Sequence, residues 1–320
     1  MKIRIALTVI LLGVSLGVKA QQEAQYTQYM YNTLAINPAY AGTRGVLSIA
    51  GLYRSQWIGL DGAPVTQTLN IHSPVGNRLG LGLSIVNDEI GNGTSQETFF
   101  DATFSYTVPV SETGNLSFGL KAGGQMLNID LSRLQNIDPT FNSGQQVVVD
   151  NKFSPNFGLG IYYHSDRFYT GLSAPNILET EHFDTSGESG SLLARERLNL
   201  YLITGMVFDL SEDFRFKPAF LLKGVSGAPL QLDISANFMY RNKFRFGAAY
   251  RWDAAWSALA GFQLSTDVML GLAYDREITA LGSTAFNNGS FEVFLRYQLL
   301  NRSRNKIRGQ YGKVLTPRFF

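Results

Sequence analysis

The chain contains no cysteine among its 320 residues. That absence excludes disulfide cross-links, thiol catalysis and metal sites built on cysteine. Only three histidines are present, His72, His164 and His182, and none of them lies in a metalloprotease motif such as H-E-x-x-H. Beyond the first twenty residues there is also no G-x-S-x-G elbow, phosphate-binding loop or G-x-G-x-x-G fingerprint. The sequence therefore predicts neither an enzyme nor a protein that binds a cofactor.

Charged residues are scarce, because Asp, Glu, Lys and Arg make up 16% of the chain, against roughly 25% in ordinary soluble domains. Aromatic residues reach 12%, and there are 32 glycines. The mean hydropathy of −0.03 is too low for a bundle of membrane-spanning helices.

Long apolar runs are missing as well, except at the start of the chain. Lys2 and Arg4 precede an apolar run from Ile5 to Val18, and Val18-Lys19-Ala20 offers small residues at the positions that a signal peptidase reads. This pattern predicts that residues 1–20 form a secretory signal peptide that is removed. An uncleaved anchor helix is the alternative, but the run is short for a span of about 20 residues. Cleavage leaves 24 basic against 25 acidic residues. The chain then has no excess of basic residues that would indicate a nucleic-acid partner.

Apolar and polar residues alternate in many stretches of the remaining sequence. In GSFEVFLRYQL, which begins at Gly289, every second residue from Phe291 to Leu299 is apolar. Such alternation is the pattern of a β-strand with two unlike faces. Most of the stretches approach the ten residues with which a tilted strand crosses a bilayer. We predict fourteen strands, near 45–54, 65–73, 78–88, 98–108, 115–127, 153–164, 166–173, 197–209, 213–223, 230–240, 243–251, 255–264, 267–276 and 289–299.

The predicted connections alternate between short turns and longer loops, the longest being 128–152, 174–196 and 277–288. Short turns at one end and long loops at the other are typical of an outer-membrane barrel, and an even strand count returns both termini to the periplasm. The sequence therefore predicts an all-β fold, a transmembrane antiparallel β-barrel of about 14 strands over residues 45–299. A soluble β-sandwich also has alternating strands, but this many matched strands in about 300 residues favours the barrel.

In such a barrel the apolar face meets lipid and the polar face lines a lumen. Charges of both signs fall on the polar face, where they can pair or bind water. The predicted lumen-facing charges are Asp233, Arg245, Arg251, Asp275, Glu292 and Arg296.

Two segments lie outside the predicted strands. Residues 21–44 are polar and aromatic, too polar to span lipid, and we predict that they plug the lumen or lie at its periplasmic mouth. Residues 300–320 form a basic tail without any acidic side chain. We predict that this tail is a periplasmic docking element for a partner, the alternative being a solvated terminus. Its candidate binding residues are Arg302, Arg304, Lys306, Arg308, Lys313, Arg318, Phe319 and Phe320.

Catalytic and metal sites have weak candidates only. His72 and His164 fall on polar strand faces, where a serine partner for hydrolysis is conceivable, but polar lumen residues are the favoured interpretation. Asp130, Asp138 and Asp150 fit no EF-hand spacing, so a solvated loop is favoured over a calcium site.

The stretch QYTQYMYNTLAINPAYAG follows the predicted signal peptide. It resembles the opening of the PorP/SprF proteins of Bacteroidetes. Four further stretches are similar to the same family: Tyr53–Val75, Gly80–Gly91, Ile137–Asn142 and the last two predicted strands. The motif residues near the start of the chain are Asn37, Pro38, Tyr40, Gly42, Arg54, Gln56 and Trp57.

The resemblance implies a non-enzymatic outer-membrane component of type IX secretion and gliding. It also implies contacts with periplasmic secretion-ring proteins, a peptidoglycan-binding partner and secreted surface adhesins, besides outer-membrane lipid. The expected function is to anchor or couple secreted surface proteins and the periplasmic machinery. The alternative is an outer-membrane channel for small or hydrophobic solutes.

Overall fold

The computed structural model describes residues 25–130, 148–179, 181–184, 191–195, 198–284 and 286–300. The predicted signal peptide, the tail from residue 301 onward and Asp138 lie outside these ranges. The strands are β1 (Ser48–Ser55), β2 (Val65–Val75), β3 (Leu79–Ile90), β4 (Ser95–Pro109), β5 (Asn115–Asp130), β6 (Val148–His164), β7 (Phe168–Ala174), β8 (Glu181–Asp184), β9 (Ser191–Arg195), β10 (Asn199–Met206), β11 (Phe208–Asp209), β12 (Phe214–Val225), β13 (Gln231–Tyr240), β14 (Phe244–Arg251), β15 (Ala255–Gln263), β16 (Val268–Glu277) and β17 (Ser290–Gln298).

The strands close into a barrel in which each pairs with its neighbours in antiparallel fashion. β1 pairs with β2 on one side and with β17 on the other, so that Ser48 lies opposite both His72 and Gln298. β10 likewise pairs with β7 and β12. β8 and β9 form a separate hairpin. With β10 and β11 counted as one strand, the barrel has fourteen strands, and the predicted fold class is confirmed.

The interruption between β10 and β11 has a local cause in the neighbouring strand. It lies between the pairs Gly205–Ala219 and Phe208–Phe216. Pro218 of β12 is next to this gap and has no N–H to donate to a ladder. The single strand predicted over residues 197–209 is therefore divided into two collinear strands, β10 and β11.

Side chains alternate between the two surfaces of the wall as the sequence predicts. Along β17, Phe291, Val293, Leu295 and Tyr297 are exposed, whereas Glu292, Phe294, Arg296 and Gln298 are buried. Large apolar side chains also cover the outside of the other strands, for example Leu83, Phe118, Phe157 and Leu172. An apolar exterior around a polar interior is the arrangement of a barrel in lipid.

One end of the barrel carries the short connections, 76–78, 110–114, 165–167, 210–213, 241–243 and 264–267. We call it the short-turn end, and the opposite end the long-loop end. In outer-membrane barrels short turns face the periplasm. Helical structure in the described ranges is limited to the turns Thr33–Ile36, Pro38–Tyr40 and Ala280–Ser283. Within the described residues, no helix is both long enough and apolar enough to cross a membrane.

Three strand boundaries at the long-loop end differ from the prediction. β4 begins at Ser95 rather than residue 98, β5 ends at Asp130, and β6 begins at Val148, which shortens the predicted loop 128–152 to residues 131–147. The added residues are mostly polar, as expected for a hairpin that projects beyond lipid and needs no apolar face. The predicted loop 174–196 contains the hairpin of β8 and β9.

Candidate functional site

Residues 25–44, which we call the inner segment, lie inside the barrel against its polar wall. At the long-loop end, Arg251 donates from Nη1 to the side-chain oxygen of Gln25 at 2.8 Å. At the short-turn end, Ser105 donates to the carbonyl oxygen of Ala41 at 2.7 Å, and the N–H of Gly42 donates to Nδ1 of His72 at 3.1 Å. The segment thus runs the length of the lumen before the chain enters β1. Its buried residues are Thr27, Gln28, Tyr29, Met30, Tyr31, Asn32, Thr33, Leu34, Ile36, Asn37, Pro38, Ala39, Tyr40, Ala41 and Arg44.

A buried cluster of charges holds the beginning of the inner segment. Nη1 of Arg54 lies 2.6 Å from Oδ2 of Asp275 and 3.3 Å from Oε2 of Glu292. The Glu292 carboxylate accepts the backbone N–H groups of Thr27 and Gln28 at 2.9 and 2.8 Å, and the Thr27 hydroxyl donates to Asp275 at 2.6 Å. Two carboxylates face one guanidinium. The N–H groups and the hydroxyl of the inner segment stabilise the excess negative charge by hydrogen bonding to the carboxylate oxygens. Hydrogen bonds to ionised groups of this kind are the stronger ones in proteins.

Asn37 and Pro38 hold the middle of the inner segment. The side-chain oxygen of Asn37 accepts the N–H of Ala39 at 2.9 Å and so caps the turn Pro38–Tyr40. The amide nitrogen of Asn37 donates to the carbonyl oxygen of Ile161 in β6 at 3.0 Å and to that of Leu172 in β7 at 3.4 Å. Pro38 starts the turn, where a fixed φ and a missing N–H cost nothing.

Glycines of the wall make room for the inner segment. A Cβ atom on Gly119 would collide with the backbone of Ala39, and one on Gly160 would collide with the side-chain oxygen of Asn37. Gly80 faces Ala41 in the same way, and Gly271 faces Gln28. These inward positions lack side chains because the segment occupies the space.

Tyrosines fill the space around the segment. Tyr40 packs edge-on against His72 and Tyr162, with ring centroids 5.4 and 5.5 Å apart, and Tyr162 stacks on Tyr169 at 6.0 Å. The hydroxyl oxygen of Tyr29 lies 3.5 Å from that of Ser235 in β13.

A cavity of about 80 Å³, which we call the outer vestibule, lies between the inner segment and the wall toward the long-loop end. Gln25, Tyr26 and Tyr29 border it from the segment. Three wall features line it: the ion pair of Lys121 and Asp101 at 2.9 Å, the ion pair of Arg251 and Asp233 at 3.0 Å, and Lys223 over the ring of Tyr201 at 5.5 Å. This surface offers charges of both signs next to tyrosine rings, which suits a polar partner such as a peptide segment.

The six predicted lumen-facing charges all lie on the buried, inward face of the wall. Asp275 and Glu292 meet around Arg54, and Asp233 meets Arg251. Arg245 and Arg296 lie apart from these pairs, toward the short-turn end. What these charges do in the working protein stays a prediction.

The motif residues Asn37, Pro38, Tyr40 and Gly42 belong to the inner segment, and Arg54 belongs to the charge cluster. Gln56 and Trp57 lie in the loop after β1. The N–H of Gln56 donates to the carbonyl of Pro64 at 2.9 Å, and the indole N–H of Trp57 donates to the Glu277 carboxylate. These two residues therefore tie the first long loop together and onto the end of β16.

The tail residues Arg302, Arg304, Lys306, Arg308, Lys313, Arg318, Phe319 and Phe320 lie outside the described residues. The prediction that both termini are periplasmic is likewise untested, although the first described residue, Gln25, lies at the long-loop end.

The weaker candidates occupy ordinary positions. His72 is buried against the inner segment, where its Nδ1 accepts the Gly42 N–H, and His164 lies beside Tyr162 in the wall. Asp130 ends β5. In the part of the chain that the structure describes, no three metal-binding side chains converge.

Sequence reasoning did not single out Arg44, Lys217 or the wall glycines. Lys217 falls on the polar face of its strand, so alternation carried a signal for its inward position. Nothing in the sequence indicates that Gly119 and Gly160 face Ala39 and Asn37, because that contact depends on how the segment runs through the lumen.

Comparison with solved structures finds other outer-membrane proteins. The toluene transporter TbuX of Ralstonia pickettii has a TM-score of 0.50 at 11% sequence identity, with 83% of this chain and 92% of that chain covered. Omp33 of Acinetobacter baumannii has a TM-score of 0.47 at 8% identity, covering 79% and 97%. A FadL homologue of Pseudomonas aeruginosa has a TM-score of 0.45 at 12% identity, covering 83% and 93%. At such identities the likeness to TbuX shows the barrel fold alone.

Comparison with curated proteins finds no match. A family model, described as the type IX secretion system membrane protein PorP/SprF, matches residues 18–297 and so covers the inner segment and the whole barrel. The chain belongs to the PorP/SprF family.

Proposed function

We propose that this barrel is a closed, non-enzymatic anchor or coupling component of type IX secretion in the outer membrane, and not a solute channel. The single observation that carries the proposal is the inner segment. It runs through the lumen and makes hydrogen bonds with β2, β4, β6, β7, β14, β16 and β17. Glycines of the wall lie where side chains would collide with the segment, which supports a segment that stays in the lumen.

Conductance measurements test this proposal. The purified full-length barrel in planar bilayers is expected to show little ion conductance. A variant that lacks residues 25–42 is expected to conduct, because the polar wall would then line open water. A wild-type barrel that conducts as strongly as the deletion variant would favour the channel alternative.

Affinity purification tests the secretion role itself. The tagged protein from mildly solubilised outer membranes is expected to bring along periplasmic secretion-ring proteins, a peptidoglycan-binding protein or a large secreted adhesin, identified by mass spectrometry. A barrel that purifies alone and conducts ions contradicts the proposed role.

The tail provides the contact on the periplasmic side in this proposal. Its six basic side chains and terminal Phe319 and Phe320 suit an acidic surface with an apolar pocket. Deleting residues 302–320 is expected to leave the barrel assembled while recovery of the periplasmic partners falls. Unchanged recovery would place the periplasmic contact elsewhere on the barrel.

A further inference from the structure

Four cationic side chains are buried together in the lumen toward the short-turn end. They come from four separate elements: Arg44 from the inner segment, Lys217 from β12, Arg245 from β14 and Arg296 from β17. Each is at most 4% exposed. The charge of Lys217 interacts with all three arginines, and that of Arg296 interacts with Arg44 and Arg245.

The three arginines differ from three other buried cations of the lumen. Arg54, Lys121 and Arg251 each contact a carboxylate. Among the described residues, by contrast, the hydrogen bonds of the three arginines go only to neutral groups. Arg44 donates to the hydroxyl of Tyr40, Arg245 to the side-chain oxygen of Gln263, and Arg296 to the sulfur of Met269.

Several guanidinium nitrogens have no hydrogen-bond partner in the described part of the chain. They are Nη2 of Arg44, Nε and Nη2 of Arg245, and Nε and Nη1 of Arg296. The centroid of the Tyr31 ring lies 5.1 Å from the ammonium of Lys217 and 5.8 Å from the guanidinium of Arg296. The attraction of a cation to an aromatic face is small against the cost of burying an unpaired charge.

Within the described residues, the acidic side chains of the short turns do not pair with these three arginines. Asp209 and Asp213 pair with Arg167 and Arg241 on the surface, and Glu112, Asp166 and Glu212 are exposed. Residues 301–320, which follow β17 at the short-turn end, contain neither Asp nor Glu. A cluster of this charge therefore calls for a counter-ion from solution.

The size of the site limits that counter-ion. Arg44 and Arg296 line a cavity of about 10 Å³, together with Ser48, Asn70, His72 and Tyr31. A volume of this order suits a guest of one heavy atom, so a monatomic anion fits it better than a phosphate group or an organic carboxylate, which have three or more heavy atoms.

We propose that Arg44 and Arg296, with Arg245 and Lys217 close by, hold one small inorganic anion of about the size of chloride inside the lumen. The unpaired guanidinium nitrogens of Arg44 and Arg296 donate to it, and Ser48 supplies a hydroxyl. Its negative charge offsets the mutual repulsion of the four cations and joins the end of the inner segment to β17.

Chloride dependence of stability is the first test, because an anion that binds only the folded barrel stabilises it by mass action. The unfolding midpoint of the full-length protein in detergent, followed by heat-modifiable migration on gels, is measured in sodium chloride and in sodium gluconate at equal ionic strength. The midpoint is expected to be several degrees higher in chloride and to rise with each tenfold increase in its concentration. Equal midpoints in the two salts would overturn the proposal.

Variants separate this site from general salt effects. Arg296→Gln is expected to remove the difference between chloride and gluconate. Arg241→Gln is the matched control, because Arg241 lies in an exposed turn and pairs with Asp213 at 3.0 Å; it should keep the full difference. A chloride effect of wild-type size in Arg296→Gln would contradict the site.

Bromide provides a readout that needs no variant. Crystals of the wild-type protein grown in sodium bromide are expected to show an anomalous peak within hydrogen-bond distance of Arg44 and Arg296. Bromide peaks on the protein surface alone, with none at these arginines, would overturn the proposal.

Discussion

The side-chain amide of Asn37 serves the inner segment and the wall at once. Its oxygen caps a turn, while its nitrogen reaches the backbone of two strands. Alanine offers neither group, so the N–H of Ala39 and the carbonyl oxygens of Ile161 and Leu172 would each lose a partner in a buried place.

Asn37→Ala is expected to destabilise the barrel by about 1–3 kcal/mol, the range for a lost cap together with buried groups left unpaired. The unfolding midpoint in urea or on heating measures the change. Asn77→Ala, in the exposed turn 76–78, is the control and should leave the midpoint within error. Equal midpoints for the two variants would mean that the segment does not depend on Asn37.

Glu292→Gln changes charge but hardly changes shape. The Thr27 and Gln28 amides would lose their ionised acceptor, and hydrogen bonds to charged groups contribute about 1.5–3 kcal/mol. Hydrogen exchange of the peptide that contains these two amides should therefore accelerate by roughly ten- to a hundredfold. Mass spectrometry of the exchanged protein measures this rate. Glu112→Gln, in an exposed turn, should change nothing, and slow exchange in both variants would refute the role of Glu292.

At the scale of elements, the wall strands and the inner segment are shaped for each other. Gly160 in β6 and Gly119 in β5 leave the space that Asn37 and Ala39 occupy. A strand residue without a side chain weakens its own strand, so these glycines indicate that the close approach of the segment outweighs that cost.

Gly160→Leu is expected to displace the inner segment and to raise ion conductance in planar bilayers well above the wild-type level. Gly51→Leu is the matched control: Gly51 lies in β1, where the nearest atom to a new Cβ is the Thr68 carbonyl oxygen at 3.8 Å. That variant should stay as closed as the wild type. A Gly160→Leu barrel that remains closed would show that the segment tolerates the added side chain.

The strands and their faces follow from sequence because each depends on local alternation. Phe291 to Leu299 predicts both the exposed and the buried face of β17 without any reference to the rest of the chain. The cluster of Arg54, Asp275 and Glu292 is different, since Arg54 and Glu292 are 238 residues apart. The contact between Arg54 and Glu292 depends on closure of the barrel and on strand register. The alternation of apolar and polar residues predicts neither of these. The outward extension of β4 and β6 was not predicted either. Strand parts beyond the lipid need no apolar face, so they lack the alternation on which the prediction depends.

At the scale of the whole molecule, the fold and the family point to the outer membrane. From the general rule for such barrels we expect the long-loop end to face the cell exterior. In this orientation Gln25 lies near the exterior although the chain enters β1 from the periplasmic side. The absence of cysteine makes this orientation easy to test, because one introduced cysteine is the only thiol in the protein.

Gln25→Cys is expected to react with a membrane-impermeant maleimide added to intact cells, because the residue borders the outer vestibule. Glu112→Cys, in the short turn 110–114, should react only after the outer membrane is permeabilised. Gel-shift or mass spectrometry of the labelled protein measures both. The opposite pattern of labelling would show that the barrel has the reverse orientation in the membrane.

Arg54 and Glu292 also have a bearing on how the barrel is made. They are direct partners across β1 and β17, the first and last strands of the chain, and Glu292 binds Thr27 and Gln28. The seam that completes the cylinder is therefore joined from within by residues synthesised before either strand. The contacts that hold the inner segment in the lumen therefore also support the pairing of β1 with β17, so a barrel that retains its segment gains stability at the seam where the cylinder closes.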